Sequence, residues 1–112
     1  MVGSHNSFHQ QPDTGIMAPM TLADYSQPSL QDQLDIGVRE IELDLHFNES
    51  HFEVYHIGVI DDLSSCKCLS DCLASMKRWS DANPDHTPVI TLMRLPCCVL
   101  SFVCLFEFIF AV

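Results

Sequence analysis

The sequence predicts an α/β fold, and three observations carry that reading. Residues 38–47, V-R-E-I-E-L-D-L-H-F, alternate apolar and polar side chains with the period of a strand. Residues 67–82 place Leu69, Cys72, Leu73, Met76 and Trp79 at helical spacing. The elements then follow one another as helix, strand, strand, helix, strand, an order that favours helices packed on a sheet.

Each element has its own local reason. Residues 2–8, V-G-S-H-N-S-F, read as the end of a strand running into a loop. Residues 9–27 hold Pro12, Gly15 and Pro19 among polar residues and read as loop. A helix is expected to start at Pro28, a residue suited to a first turn, with Leu30 and Leu34 on one face and Gly37 as its stop. In the strand 38–47 the apolar set is Ile41, Leu43, Leu45 and Phe47, and the polar set is Glu40, Glu42, Asp44 and His46. One set packs against helices; the other faces solvent or a site. A turn around Asn48 to His51 leads to a second strand, F-E-V-Y-H-I at 52–57. So short a link normally joins antiparallel strands. Asn83 to Pro88 reads as a turn, and P-V-I-T-L-M from Pro88 as the third strand. No internal repeat or low-complexity segment interrupts this order.

The last stretch, residues 95–112, is almost wholly apolar and breaks with the composition before it. A membrane-spanning helix needs about 20 apolar residues, and this run is shorter and carries Glu107. It reads as a replaced C-terminus, a membrane tail or the buried core of a larger assembly. The domain organisation is therefore 1–94 for the α/β part and 95–112 for the apolar tail.

The chain has 112 residues, enough for one small domain, and 47% are hydrophobic, enough for a packed core. Fifteen acidic and five basic residues leave a formal charge of −10. Such a surface repels nucleic acid, so no nucleic acid partner is expected. It suits a hard cation. Six cysteines are present, three of them in S-C-K-C-L-S-D-C at 65–72. Their spacing is not that of a zinc site, which leaves a local disulfide or free thiols. No signal-peptide pattern follows Met1.

Glu42 and Asp44 are two apart on a strand, so both carboxylates leave from one face. A divalent cation such as Ca²⁺ would relieve their repulsion; a solvated polar face would also explain them. His5 and His56 are candidates for general acid and base, although His9, His46, His51 and His86 show that the chain is rich in histidine. Spacing alone does not single out the pair.

A family resemblance does. G-S-H-N-S-F at 3–8, V-R-E-I-E-L-D-L at 38–45 and V-Y-H-I-G at 54–58 resemble, in order, the X domain of phosphatidylinositol-specific phospholipase C. The calcium-dependent enzymes of bacteria and fungi are the most similar group. C-L-S-D-C-L-A-S-M-K-R-W-S-D-A-N-P-D-H-T-P-V-I at 68–90 also looks like them, so the resemblance spans residues 2 to 93.

The resemblance implies a (β/α)₈ TIM barrel, of which this chain holds only the first strands and helices. It makes His5 and His56 the catalytic histidines, and Asn6, Glu42 and Asp44 the Ca²⁺ ligands. The implied reaction is attack of the inositol 2-hydroxyl on the phosphodiester, with Glu42 able to help as base. A histidine then protonates the departing diacylglycerol oxygen. A phosphoinositide or related phosphodiester substrate, contact with a membrane surface, and a secreted or membrane-associated location follow.

The family has a further acidic ligand where this chain has Arg94, and the later strands that hold the head group have no counterpart after Leu95. A weakly active or inactive chain is expected. Two other readings remain. One is a glycerophosphodiester phosphodiesterase, which resembles this pattern but has His-Arg where this chain has His-Asn. The other is a non-catalytic, membrane-associated fragment.

Overall fold

A computed structural model describes residues 1–12 and 24–95, together with the backbone of 106–111. The tail between residues 96 and 105 lies outside the described residues, as do Cys97, Cys98 and Cys104. The elements are β1 (Val2–Ser4), α1 (Leu30–Asp35), β2 (Val38–Asn48), β3 (His51–Val54), α2 (Leu69–Ala82), β4 (Ile90–Leu95) and β5 (Phe106–Ala111).

They build one mixed sheet in the order β1-β2-β4-β5, with β3 paired to β2 off that path. β1, β2 and β4 run parallel, so α1 and the β3–α2 segment are crossovers. β5 returns antiparallel to β4. Only residues 96–105 link the two, fewer than a parallel crossover takes. Six residues of the apolar tail are thus strand. Among the described residues, no helix is long and apolar enough to cross a membrane.

The period-two alternation of β2 buries three of its four expected apolar residues, while Phe47, near the end of the strand, is 66% exposed. Ile41, Leu43 and Leu45 are buried in the core with Leu30 and Leu34 of α1 and Cys72, Met76 and Trp79 of α2. Thr91 and Met93 of β4 lie beside Ile41 and Leu43 in register and are buried with them. Each fully buried aliphatic side chain contributes about 1.5–3 kcal/mol, so this layer is the main source of stability. The two helices are joined by Trp79, whose Nε1–H donates to Asp35 Oδ1 at 2.6 Å, while the Arg39 guanidinium lies 4.7 Å from the Trp79 ring centroid. Leu73, expected on the apolar face of α2, is instead exposed.

Several boundaries differ from the sequence reading for local reasons. α1 starts at Leu30, not Pro28, because Ser29 is the cap: its Oγ accepts from the Asp32 N–H at 3.2 Å. Gly37, with φ of +99°, ends the helix as expected. Helix α2 starts at Leu69 rather than residue 67, just inside the Cys66–Cys72 disulfide. Cys68 is a free thiol, so one of the two local possibilities for the cysteines holds for each. The β2–β3 turn is tighter than expected. Asn48 pairs with His51 across Glu49 and Ser50, and β3 runs from His51 to Val54 rather than 52–57. The strand stops at Val54, and the chain bends at His56 just after it. The ring of His46 stacks on that of Tyr55 at 3.7 Å and contacts the Tyr55 carbonyl at 2.9 Å.

Candidate active site

The middle of the polar face of β2 is withdrawn from solvent, although Glu40 at its start is exposed and His46 at its end is half-buried. Glu42 and Asp44 are each only 8% exposed, although β2 offers them nothing but a strand face. Neighbours on both sides explain the burial: β1 and β4 flank β2, so it is no edge strand. In register, Asp44 sits beside Arg94 of β4. Parallel neighbours project to the same face, and the guanidinium therefore falls between the two acids. Arg94 donates from Nη1 to Glu42 Oε1 at 2.6 Å, and its Nε lies 3.9 Å from Asp44 Oδ1.

Burial pushes the Asp44 carboxyl above the ordinary carboxylate range. Arg94 opposes that rise, the charge of Glu42 adds to it, and His56 and His46 oppose it.

The turn after β1 brings in the next pair. Ser7 locks it to β2: its N–H donates to the Glu42 carbonyl at 3.1 Å, and its Oγ accepts from the Glu42 N–H at 2.9 Å. Gln33 of α1 fastens the same turn, donating to the Ser7 carbonyl at 2.7 Å. Asn6 takes the left-handed conformation, φ +47°, which asparagine tolerates better than most residues. Its N–H points at Glu42 Oε2, 3.2 Å away, and its Nδ2 donates to the Tyr25 hydroxyl at 3.3 Å. His5 stands at the rim, with Nε2 3.7 Å from Glu42 Oε2 and a side chain that is 70% exposed.

His56 comes from the loop after β3. Ile57 and Asp61 exchange both backbone hydrogen bonds, at 3.0 and 2.9 Å, and close the segment between them into a tight loop. That closure turns Asp61 back onto His56, whose Nδ1 lies 2.7 Å from Asp61 Oδ2. Asp61 Oδ1 meets Nε2 of His9 at 2.8 Å, and both of those residues are fully buried. His9 also stacks on Tyr25, ring centroids 4.3 Å apart. His5, Asn6 and Arg94 thus all meet Glu42, Arg94 spans from there to Asp44, and His56 connects to Asn6 through the chain Asp61, His9, Tyr25.

The donor set fits a hard cation in its chemistry. Two buried carboxylates face the same side, and Asn6 Oδ1 is buried without a hydrogen-bond partner, the only such side-chain atom among the described residues. Asn6, Glu42 and Asp44 could hold a hard divalent cation such as Ca²⁺. The Arg94 ion pair competes with it for Glu42.

Sequence reasoning missed Asp61 and His9. Asp61 is followed by the exposed Asp62, and nothing in V-I-D-D marks which acid turns inward. His9 was one histidine among six. The signal lies in the loop closure, which only the fold provides.

Neither a search of curated proteins nor one of solved structures returns a match to this chain. Residues 46–97 match the family model described as phosphoinositide phospholipase C, Ca²⁺-dependent. The matched stretch includes His56, Asp61, the disulfide and Arg94, and it stops short of His5, Asn6, Glu42 and Asp44. Over those residues, just under half of the chain, the sequence is similar to the phosphoinositide phospholipases C.

Proposed function

We propose that this chain is a phosphodiester hydrolase of the phospholipase C type, acting on inositol phospholipid, with its rate held down by the Arg94–Glu42 ion pair. The observation that carries the reading is one histidine at the buried acidic face, His5 at 3.7 Å from Glu42 Oε2, with a second, His56, held at 2.7 Å on the buried Asp61. Buried carboxylates beside imidazoles are the groups that proton transfer at a phosphate requires.

In this reading Glu42, with His5 beside it, takes the proton of the inositol 2-hydroxyl. The 2-oxygen bonds to phosphorus. His56 gives a proton to the glycerol oxygen as its bond to phosphorus breaks, and diacylglycerol leaves with that proton. The cyclic inositol phosphate is then opened by water, with the proton transfers reversed. Calcium, when held by Asn6, Glu42 and Asp44, supplies positive charge at the attacking oxygen and the phosphate.

The wider frame we propose is the opening part of a (β/α)₈ barrel. The consecutive parallel order β1, β2, β4 supports it, and so does the clustering of His5, Asn6 and Arg94 towards the carboxyl ends of parallel strands. The antiparallel β5 departs from that pattern. The disulfide supports a secreted or membrane-associated location, where such bonds persist.

The test is release of water-soluble inositol phosphate from phosphatidylinositol in mixed micelles, with and without calcium, beside glycerophosphodiesters as competing substrates. Slow cleavage of phosphatidylinositol that Arg94→Gln speeds up supports the reading. Cleavage of glycerophosphodiesters alone moves the chain to the other phosphodiesterase class. No cleavage of either substrate by wild type or Arg94→Gln refutes it.

A further inference from the structure

We propose that Asp61 is the positioning residue of this site: its carboxylate, steadied by the buried His9, holds His56 with the proton on Nδ1 and so presents Nε2 for proton transfer. The inference rests on the reading of His56 as the proton donor, but its central statement, which ring nitrogen is free, is tested without substrate.

The argument is a count of hydrogen-bonding groups. Asp61 is 1% exposed, so both its oxygens need partners from the protein. Oδ2 faces His56 Nδ1 at 2.7 Å and Oδ1 faces His9 Nε2 at 2.8 Å. The other nitrogen of His9, Nδ1, lies 3.0 Å from the Tyr25 carbonyl oxygen, which can only accept. Nδ1 of His9 therefore carries a hydrogen. A further proton lies in the contact between His9 Nε2 and Asp61 Oδ1, because neither atom can otherwise donate. With that oxygen engaged, Oδ2 remains the acceptor for His56. In the neutral His56 ring the hydrogen belongs on Nδ1 and Nε2 keeps its lone pair, so Nε2 is the atom that takes up the proton which the imidazolium form then gives to the glycerol oxygen. The His56 side chain is 37% exposed, whereas those of His9 and Asp61 are enclosed. The ring thus has one nitrogen anchored in the protein and one available outside.

The surroundings agree with this role. His9 meets the His56 ring edge to face, with centroids 6.0 Å apart, which limits how that ring can swing. The charged or titratable groups acting on His56 are Asp61, His9 and, at longer range, Asp44.

His9, His56 and Asp61 also have the composition of a metal site, with ligand atoms all within 4.8 Å of one another. Their spacing argues for protons instead. Ligands around a tetrahedral zinc stand about 3.3 Å apart, from bonds of about 2.0 Å. The contacts here are 2.7 and 2.8 Å, the length of charge-assisted hydrogen bonds.

The experiment is ¹⁵N–¹H multiple-bond NMR on the labelled full chain, which reads the protonated nitrogen of the neutral His56 ring. In the wild type the Nδ1–H form should exceed the other by about tenfold or more, the preference one hydrogen bond to a carboxylate supplies. Asp61→Ala should lose that preference. Asp61→Asn should keep it, because its amide can give its oxygen to His56 and its NH₂ to a neutral His9. A wild-type His56 protonated on Nε2 overturns the proposal, even if Asp61→Ala fails to fold. An unchanged ring in a folded Asp61→Ala also overturns it. Absence of phosphatidylinositol cleavage bears on the hydrolase reading alone, since the tautomer is read without substrate.

Discussion

Arg94 occupies the acidic face in place of a cation: its guanidinium reaches Glu42 at 2.6 Å and leans towards Asp44 at 3.9 Å. The pairing follows from register, since Asp44 and Arg94 are direct neighbours on parallel strands. Both acids are buried, so their charges act on Arg94 with little screening.

Arg94→Gln should therefore strengthen calcium binding. The variant frees Glu42 Oε1 and removes a positive charge from the cation's place. An opposite charge at this distance is worth one to three pKa units, so an affinity gain of about tenfold is expected in a calorimetric calcium titration. The metal-free variant should also melt at a lower temperature, because two buried carboxylates lose their counter-charge. Equal calcium affinity in the two proteins would show that Arg94 does not guard the acids.

Asp44 gives a pH test whose sign is fixed. Burial raises its folded-state pKa above the ordinary value of 3.8, against the pull of Arg94. The folded protein thus holds this proton to higher pH than the unfolded chain does. Stability from this group is full below the unfolded pKa and is lost as pH rises through the folded one. Asp44→Asn removes that loss. It should be more stable than wild type at about pH 7, and the gap should close as pH falls below the unfolded value. Urea titrations at the two extremes check this. A gap that widens on acidification would mean that the Arg94 contact outweighs burial.

Two backbone positions should respond with opposite signs. Val59 is 93% exposed and holds φ of +72°, a conformation that β-branched residues resist. Val59→Gly should relieve that strain and, after the added entropy of glycine, stabilise by about 0.5–1 kcal/mol. Gly37 has φ of +99°, with open space where a side chain would project. Gly37→Ala should destabilise by about 1 kcal/mol through the backbone alone. A lower melting temperature for Val59→Gly would contradict the first assignment, and a higher one for Gly37→Ala the second.

The elements with strong periodicity were legible before any coordinates. The alternation in β2 separates Ile41, Leu43 and Leu45 from Glu42 and Asp44, and the two groups do lie in different surroundings. What alternation cannot say is whether the acidic face meets water. That depends on β1 and β4 lying on either side of β2, which is a long-range fact. The end of β3 is not legible in the sequence because F-E-V-Y-H-I keeps a strand-like composition beyond Val54. The ladder stops at Val54, and Tyr55 beyond it instead stacks on His46. Arg94 could be suspected of opposing a cation from its charge. Its bond to Glu42 required the register.

His5 and His56 should not contribute equally to cleavage. His56 is anchored through Asp61 at 2.7 Å, so its ring is held before substrate arrives. The His5 side chain is 70% exposed and 3.7 Å from its nearest carboxylate oxygen, too far for a hydrogen bond. A fixed proton donor gives catalysis of about 10²- to 10⁴-fold, whereas a mobile ring first loses entropy to reach its place. His56→Ala should therefore lower kcat for phosphatidylinositol by about 10²-fold or more, with KM little changed. His5→Ala should cost less, unless substrate pins the ring against Glu42. The rates of both variants, measured in Arg94→Gln for its higher activity, decide the order. Equal and severe losses would mean that His5 becomes as ordered as His56 once the phosphate is bound. Unchanged rates in both would remove these histidines from the reaction.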